Sequence, residues 1–226
     1  MPRLTNTREL ILDAALDLFS ERGYDGVGLR NLAQRVGVRE SALYKHFRSK
    51  QDIFCTLIAR MRTESAKVFA AHGMPVADRS EMIERYRTIS VEELTQFCLD
   101  MFVYNIRNDR TVKFRKVLRW GSSVMRVQTD EGSLHHETAA RSDEDVGSAY
   151  YSMYIGEVLA LYGAIFKGLT DSGVFIETDP DVAALHFYSP IFLLLTSCDE
   201  EKITEAEALD RLEKHVRQFL KLYKKN

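Results

Sequence analysis

An all-α fold is predicted for this chain of 226 residues by three observations. Apolar residues recur three and four positions apart in one run after another, the spacing that lines one face of a helix. Helix-start signals stand at the heads of those runs: Asn6 with Glu9, Ser90 with Glu93, Asp179-Pro180, and Thr204 with Glu207. The alternation of a half-buried strand persists nowhere, and neither an internal repeat nor a low-complexity segment is present.

In chain order, the first helix is expected to start near Asn6, to bury Ile11, Leu12, Ala15, Leu16 and Phe19, and to end at Gly23. The stretch Leu29–Phe47 organises the rest of the chain. Leu29, Leu32, Ala33 and Val36 share one helical face. Gly37 then supplies a residue that tolerates positive φ, and Val38 can plug the corner. A second apolar face comes next at Ala42, Leu43 and Phe47, while Arg39, Glu40, Ser41, Tyr44, Lys45 and His46 point the other way. Short helix, glycine turn and short helix with a polar outer face is a helix-turn-helix pattern, whose second helix suits the major groove. A fourth helix is predicted from Ser49 through Ile53, Phe54, Leu57, Ile58 and Met61 towards Phe69. Lys50 sits in its first turn, where backbone N–H groups favour an anion such as a DNA phosphate.

Beyond the break at His72-Gly73-Met74-Pro75 a short helix is expected through Met82, Ile83 and Tyr86. Next come a helix from Ser90 lined by Leu94, Phe97, Cys98, Met101, Phe102 and Tyr104, and one marked by Phe114, Val117, Leu118 and Trp120. Gln128–Gly147 reads as a loop or frayed helix end, and Tyr150–Leu169 as one long helix. A helix from Pro180 to about Ser197 contains Pro190, which is expected to bend it. The last helix begins after Thr204 and carries Leu209, Leu212, Val216, Phe219, Leu220 and Tyr223.

The segment Arg22–Phe54 resembles the DNA-binding domain of the tetracycline-repressor (TetR) family of transcriptional regulators. The matching pieces are Phe19-Ser20-Glu21-Arg22-Gly23-Tyr24, Leu32-Ala33, Gly37-Val38, Ala42-Leu43-Tyr44-Lys45-His46-Phe47 and Ser49-Lys50-Gln51-Asp52. The resemblance implies an N-terminal three-helix helix-turn-helix domain, residues 1–50, and a helical ligand-binding and dimerisation domain, residues 51–226. DNA-binding residues are then expected at Arg30, Arg39, Glu40, Ser41, Tyr44, Lys45, His46 and Lys50. Tyr44, Lys45, His46 and Lys50 are assigned to phosphates; Arg39, Glu40 and Ser41 face base edges. Two departures from the family pattern stand out. Val27-Gly28 replace the usual Ser or Thr before the second helix, and Arg39 replaces a Ser at the start of the recognition helix, removing a cap and adding a long cation.

Overall charge is nearly balanced, −2, so composition alone says nothing about nucleic acid. Residues 1–50 nevertheless hold an excess of Lys and Arg, and the remainder is acidic, as suits a DNA reader joined to a body that should not stick to DNA. Cys55, Cys98 and Cys198 lie far apart, without metal spacing, and read as reduced core thiols. No signal peptide is read at Met1-Pro2-Arg3, and the apolar run Phe187–Leu195 is too short to span a bilayer. A cytoplasmic protein without a membrane partner is expected.

In the C-terminal half, Asp179-Pro180, Phe187-Tyr188-Ser189-Pro190-Ile191, Cys198-Asp199 and Phe219-Leu220-Lys221-Leu222-Tyr223 are similar to parts of some TetR-family members. This implies a homodimer through the last two long helices, and hence an inverted-repeat operator in double-stranded DNA. It also implies a cavity for a small-molecule effector. Phe97, Met101, Tyr104, Trp120, Tyr151, Tyr154 and Tyr162 are the candidate lining, which suits a largely apolar ligand with one or two polar groups; core packing is the alternative for each. Catalytic residues, a metal site and a cofactor are not expected. His135-His136 point about 100° apart on a helix, no other ligand stands at a recognised spacing, and nucleophile elbows and phosphate-binding glycine loops are missing. Two classes of function remain: a ligand-responsive DNA-binding regulator, usually a repressor, and a helical small-molecule-binding protein or enzyme with a vestigial DNA-binding head. The groove-facing set favours the first.

Overall fold

The computed structural model describes residues 6–75, 78–124 and 146–225. They form eleven α-helices and one π-helical segment: α1 Thr7–Arg22, α2 Leu29–Val36, α3 Glu40–Leu43, α4 Lys50–Ala71, α5 Arg79–Thr88, α6 Val91–Arg107, α7 Asp109–Val124, α8 Val146–Tyr151, the π segment Ser152–Gly156, α9 Glu157–Asp171, α10 Pro180–Asp199 and α11 Glu205–Tyr223. Among the described residues the sole strand-like pairing is an isolated bridge between Phe175 and Lys224. The all-α expectation is met. The expected loop Gln128–Gly147, with His135 and His136, lies almost wholly outside the described residues.

Two compact units are present: Met1–Arg62 with Lys113–Tyr151, and Thr63–Val112 with Ser152–Asn226. In the first, α1 packs on α2 and α2 on α3. Ile11, Leu12, Ala15, Leu16 and Phe19 of α1 are buried as predicted, together with Leu32, Ala33, Leu43, Phe47, Ile53, Phe54 and Leu57. An acidic stripe on α1 ties this core down at its rim. Glu9 and Asp13 face Arg60 of α4 at 3.5 and 3.0 Å, and Asp17 meets Lys113 of α7 at 2.8 Å. Asn6 caps α1, but its side chain accepts from the N–H of Arg8 rather than that of Glu9.

The second unit is a helical body. α10 packs against α9, α11 and α6, and α5 against α9. Its helices start where the sequence signals stand. Ser90–Glu93 and Thr204–Glu207 are reciprocal capping boxes, and Asp179 accepts from the N–H groups of Asp181 and Val182 ahead of Pro180. The core is a ring cluster in which Phe187 lies 4.8 Å from Tyr162 and 4.8 Å from Phe219, with Phe166 beside all three. The long helix predicted from Tyr150 to Leu169 is helical throughout, but its turn Ser152–Gly156 is π rather than α. Hydropathy spacing does not register one extra residue in a turn.

Cys55 is exposed, against the expectation of three core thiols, whereas Cys98 is buried and Cys198 half-buried. α10 as a whole, unlike its Phe187–Leu195 run, is long and apolar enough by length and composition to cross a bilayer. One side of α10 packs on α9, α11 and α6, while Val182, Leu185 and Leu193 stay exposed on the other.

Candidate nucleic-acid interface

Gly37 ends α2 with φ 76 and ψ 30, and its N–H reaches the carbonyls of Ala33 and Gln34. A side chain at that φ is strained, which explains the glycine. Gly28 precedes α2 in extended geometry and offers no side-chain cap; its own N–H is taken by Asn31 Oδ1 at 3.0 Å, which satisfies the N-cap donor but leaves the missing hydroxyl unreplaced. Arg39 gives α3 no side-chain cap. α3 is a single α-turn, after which His46 N–H still reaches the Leu43 carbonyl at 2.9 Å and Lys45 N–H the Ala42 carbonyl at 3.3 Å.

Leu43 and Phe47 are buried and fasten this stretch to the core. Arg39, Glu40, Ser41, Tyr44, Lys45 and His46 are all exposed, as is Arg30 on α2; Tyr44 is 55% exposed. Seven of the eight residues assigned to DNA are thus on the surface, six of them on one short turn of chain. An unpartnered large aromatic among cations suits a phosphate backbone with sugar and base edges beside it.

Lys50 is the exception. Its ammonium donates to the Tyr24 carbonyl at 3.0 Å and stands 4.1 Å above the Tyr24 ring. Burial lowers its pKa, opposed by Asp25. Tyr24 in turn donates its hydroxyl to Gln51 Oε1 at 2.9 Å and sets its ring against Phe19 and Phe54. Lys50 therefore pins the chain after α1 to the start of α4, and two of its three N–H donors stay available. Lys50→Ala is expected to lower the unfolding free energy of this unit by about 1 kcal/mol, read in a denaturant titration, besides any effect on DNA. A stability equal to wild type would remove the pin.

Sequence spacing does not reveal Tyr24, 26 residues from Lys50, nor Arg8, whose guanidinium lies 4.9 Å from the centre of the Phe47 ring at the end of the recognition stretch. Both contacts are long-range, and no local pattern marks them.

The residues proposed for an effector are dispersed. Phe97 is buried between the rings of Phe69 and His72, at 5.1 and 5.4 Å. Met101 and Tyr104 are half-buried on α6, Tyr151 is 61% exposed, and the side chain of Trp120 lies outside the described residues. Tyr154 and Tyr162 are brought together through Tyr188, which donates to the Tyr154 carbonyl at 2.7 Å and sets its ring 6.2 Å from that of Tyr162. Tyr162 is also hydrogen-bonded to Tyr86, next to Cys98. Burial raises the pKa of both phenols and pushes the Cys98 thiol up to about 12, so all three are neutral. Among the described residues no group of three His, Cys, Asp or Glu is placed to hold a metal ion.

The family described as bacterial regulatory proteins, tetR family, matches residues 11–55, the segment that holds Arg39–His46. The tetracycline repressor protein class A from transposon 1721 (Escherichia coli) is 43% identical over 68 residues, 30% of this chain and 30% of that protein. The transcriptional repressor AcnR of Corynebacterium glutamicum is 34% identical over 89 residues, 38% of this chain and 47% of that protein. The chain thus matches less than half the length of either repressor. The fold extends further: the structure of the SmeT–triclosan complex superposes on 97% of this chain and 92% of its own, with TM-score 0.64 and 20% identity. Residues 11–55 thus match the DNA-binding domain of the tetR family, and nearly the whole chain shares the fold of a solved TetR-type regulator.

Proposed function

We propose that the protein is a ligand-responsive transcriptional regulator, acting as a repressor, that binds an inverted-repeat operator as a homodimer in the cytoplasm and is released by a small, largely apolar effector. The observation that carries this reading is the exposed set Arg39, Glu40, Ser41, Tyr44, Lys45 and His46 on a stretch anchored by buried Leu43 and Phe47. A vestigial head has no reason to keep such a set, which speaks against a carrier or enzyme. The repressors it resembles support the sign of regulation, and the triclosan complex of a fold neighbour supports an organic effector.

Selection from random DNA duplexes tests the reading, with an inverted repeat as the expected product. Arg39 can bond bidentately to guanine and Glu40 can accept from cytosine N4, each contact giving about 1–3 kcal/mol of discrimination. Arg39→Ala is therefore expected to relax preference at particular base pairs by about tenfold or more. Lys45→Ala is expected to weaken all duplexes alike and to flatten the salt dependence by about one counterion. Wild-type binding by both variants would place the DNA contacts elsewhere.

For the switch, effector and DNA are expected to oppose each other reciprocally. A compound that weakens operator binding tenfold must itself bind tenfold more weakly to the DNA complex, about 1.4 kcal/mol of coupling. α4 runs unbroken from Lys50 to Ala71, without a Gly or Pro hinge, and is the natural carrier of that coupling. A compound that occupies the body and leaves operator affinity unchanged at every salt concentration would remove the lever for that compound.

A further inference from the structure

Four polar tips from four helices meet inside the body: Tyr86 of α5, Cys98 of α6, Tyr162 of α9 and Tyr188 of α10. Phenylalanine would fill the three tyrosine positions without desolvating a hydroxyl. Tyr188 is turned to the π segment, taking up the carbonyl of Tyr154, an irregularity of the kind that recurs at functional sites. Beside this cluster a crevice of about 20 Å³ is lined by Tyr86, Val91, Phe166, Phe175, Phe187 and Lys224, among others. Tyr86 belongs to both, and Phe166 and Phe187 separate the crevice from Tyr162 only by ring contacts of 5.7 and 4.8 Å.

The outer wall of the crevice includes a thin strap. Phe175 and Lys224 form the isolated bridge, with Ile176 N–H on the Tyr223 carbonyl and Lys225 N–H on the Val174 carbonyl, each at 2.9 Å. The present volume has room for a water, so a ring enters only as this strap yields, and the strap is one isolated bridge with two backbone hydrogen bonds beside it, few contacts to open.

We propose that this crevice is a ligand site whose inner end is Tyr86, itself hydrogen-bonded to Tyr162 behind the Phe166 and Phe187 rings, and that it takes a neutral aromatic compound carrying a hydroxyl group. The proposal rests on the reading of the body as effector-binding and adds the class of compound. Phe166, Phe175 and Phe187 supply ring walls. A hydroxyl both donates and accepts, so it joins a run of phenol hydroxyls without leaving a buried polar atom unmatched. An anion finds no cation among the residues named at the inner end, and the exposed Lys224 holds one only weakly.

The full chain should be titrated at pH 7 with 2-naphthol, naphthalene and 2-naphthoate, with ligand fluorescence as the readout. The wild type is expected to bind 2-naphthol at least tenfold more tightly than either of the others. Tyr86→Phe and Tyr162→Phe, which keep the rings, are each expected to erase that advantage. Val91→Trp, which fills the crevice and leaves the hydroxyls, is expected to abolish binding of all three with the melting temperature retained. A naphthol advantage that survives in both phenylalanine variants, tighter binding of 2-naphthoate, or no 2-naphthol binding by the wild type up to its solubility limit would overturn the site. A duplex obtained by selection separates the two readings. If 2-naphthol binds through the two tyrosines and leaves duplex affinity unchanged, the site stands and the effector reading falls. If another compound releases the duplex equally from the wild type and both phenylalanine variants, the effector reading stands and this site falls.

Discussion

Leu185→Glu combined with Leu193→Glu will give a folded monomer whose affinity for an inverted-repeat operator is lower by at least about 100-fold. Within one chain these side chains are 49% and 64% exposed, so a glutamate at either position stays hydrated and costs the fold little. They share the outer stripe of α10 with Val182, which is 56% exposed, at helical spacing. Such a row of unpartnered apolar residues on one helix marks an association surface. In a two-fold dimer each glutamate would be buried near its own copy without a cation, a cost of several kcal/mol. Losing the second head then removes the avidity of two half-sites. Sedimentation velocity, thermal melting and duplex binding on the same preparation check the three parts of the expectation. A dimer that persists with wild-type stability would place the interface elsewhere.

The contrast with Leu212 and Phe219 shows what helical spacing can and cannot tell. Both carry the apolar period of α11, and the sequence marks them as an interface as readily as a core. The structure buries them completely inside their own chain, and the outward stripe of α11, Arg211, Lys214, Gln218 and Leu222, is mostly polar. Charging Leu212 or Phe219 would therefore break the protomer, and an insoluble product would say nothing of dimerisation. Periodicity reports that a face is covered, not by which chain.

Local chemistry is more securely legible. Ser90 with Glu93, Thr204 with Glu207 and Asp179 before Pro180 start helices where the sequence says they should, because a cap involves only three or four neighbouring residues. Gly37 is equally local, its positive φ set by the turn it closes. The exposure of Arg39, Glu40, Ser41, Tyr44, Lys45 and His46 is legible too, because buried Leu43 and Phe47 fix which side of this stretch faces the core. Lys50 is not: at a helix start it reads as a phosphate ligand, and only the folded chain brings the Tyr24 carbonyl to its ammonium. Nor is the hydroxyl cluster, since Tyr86 and Tyr162 belong to helices far apart in sequence and each looks by itself like a core aromatic.

Phe54→Ala will unfold the DNA-binding head while the body remains folded. Phe54 is fully buried, its ring 5.3 Å from Tyr24 and 6.2 Å from Phe114, so it joins the segment after α1 to α4 and α7 through one side chain. Truncation leaves a cavity that three helices cannot close without moving, a loss of about 3–5 kcal/mol. That is a large part of what so small a unit holds. The body has a core of its own, built on Phe166, Phe187 and Phe219. Amide hydrogen exchange is expected to show residues 29–47 exchanging freely in the variant, with α9, α10 and α11 protected as in wild type and operator binding abolished. Tyr24→Phe, which removes only the hydroxyl bonded to Gln51, is expected to cost about 1 kcal/mol and to preserve protection of the head. If Phe54→Ala instead melts both units together, the head is not a separable cooperative unit, and the pin between Tyr24 and Lys50 then contributes to the stability of the whole chain.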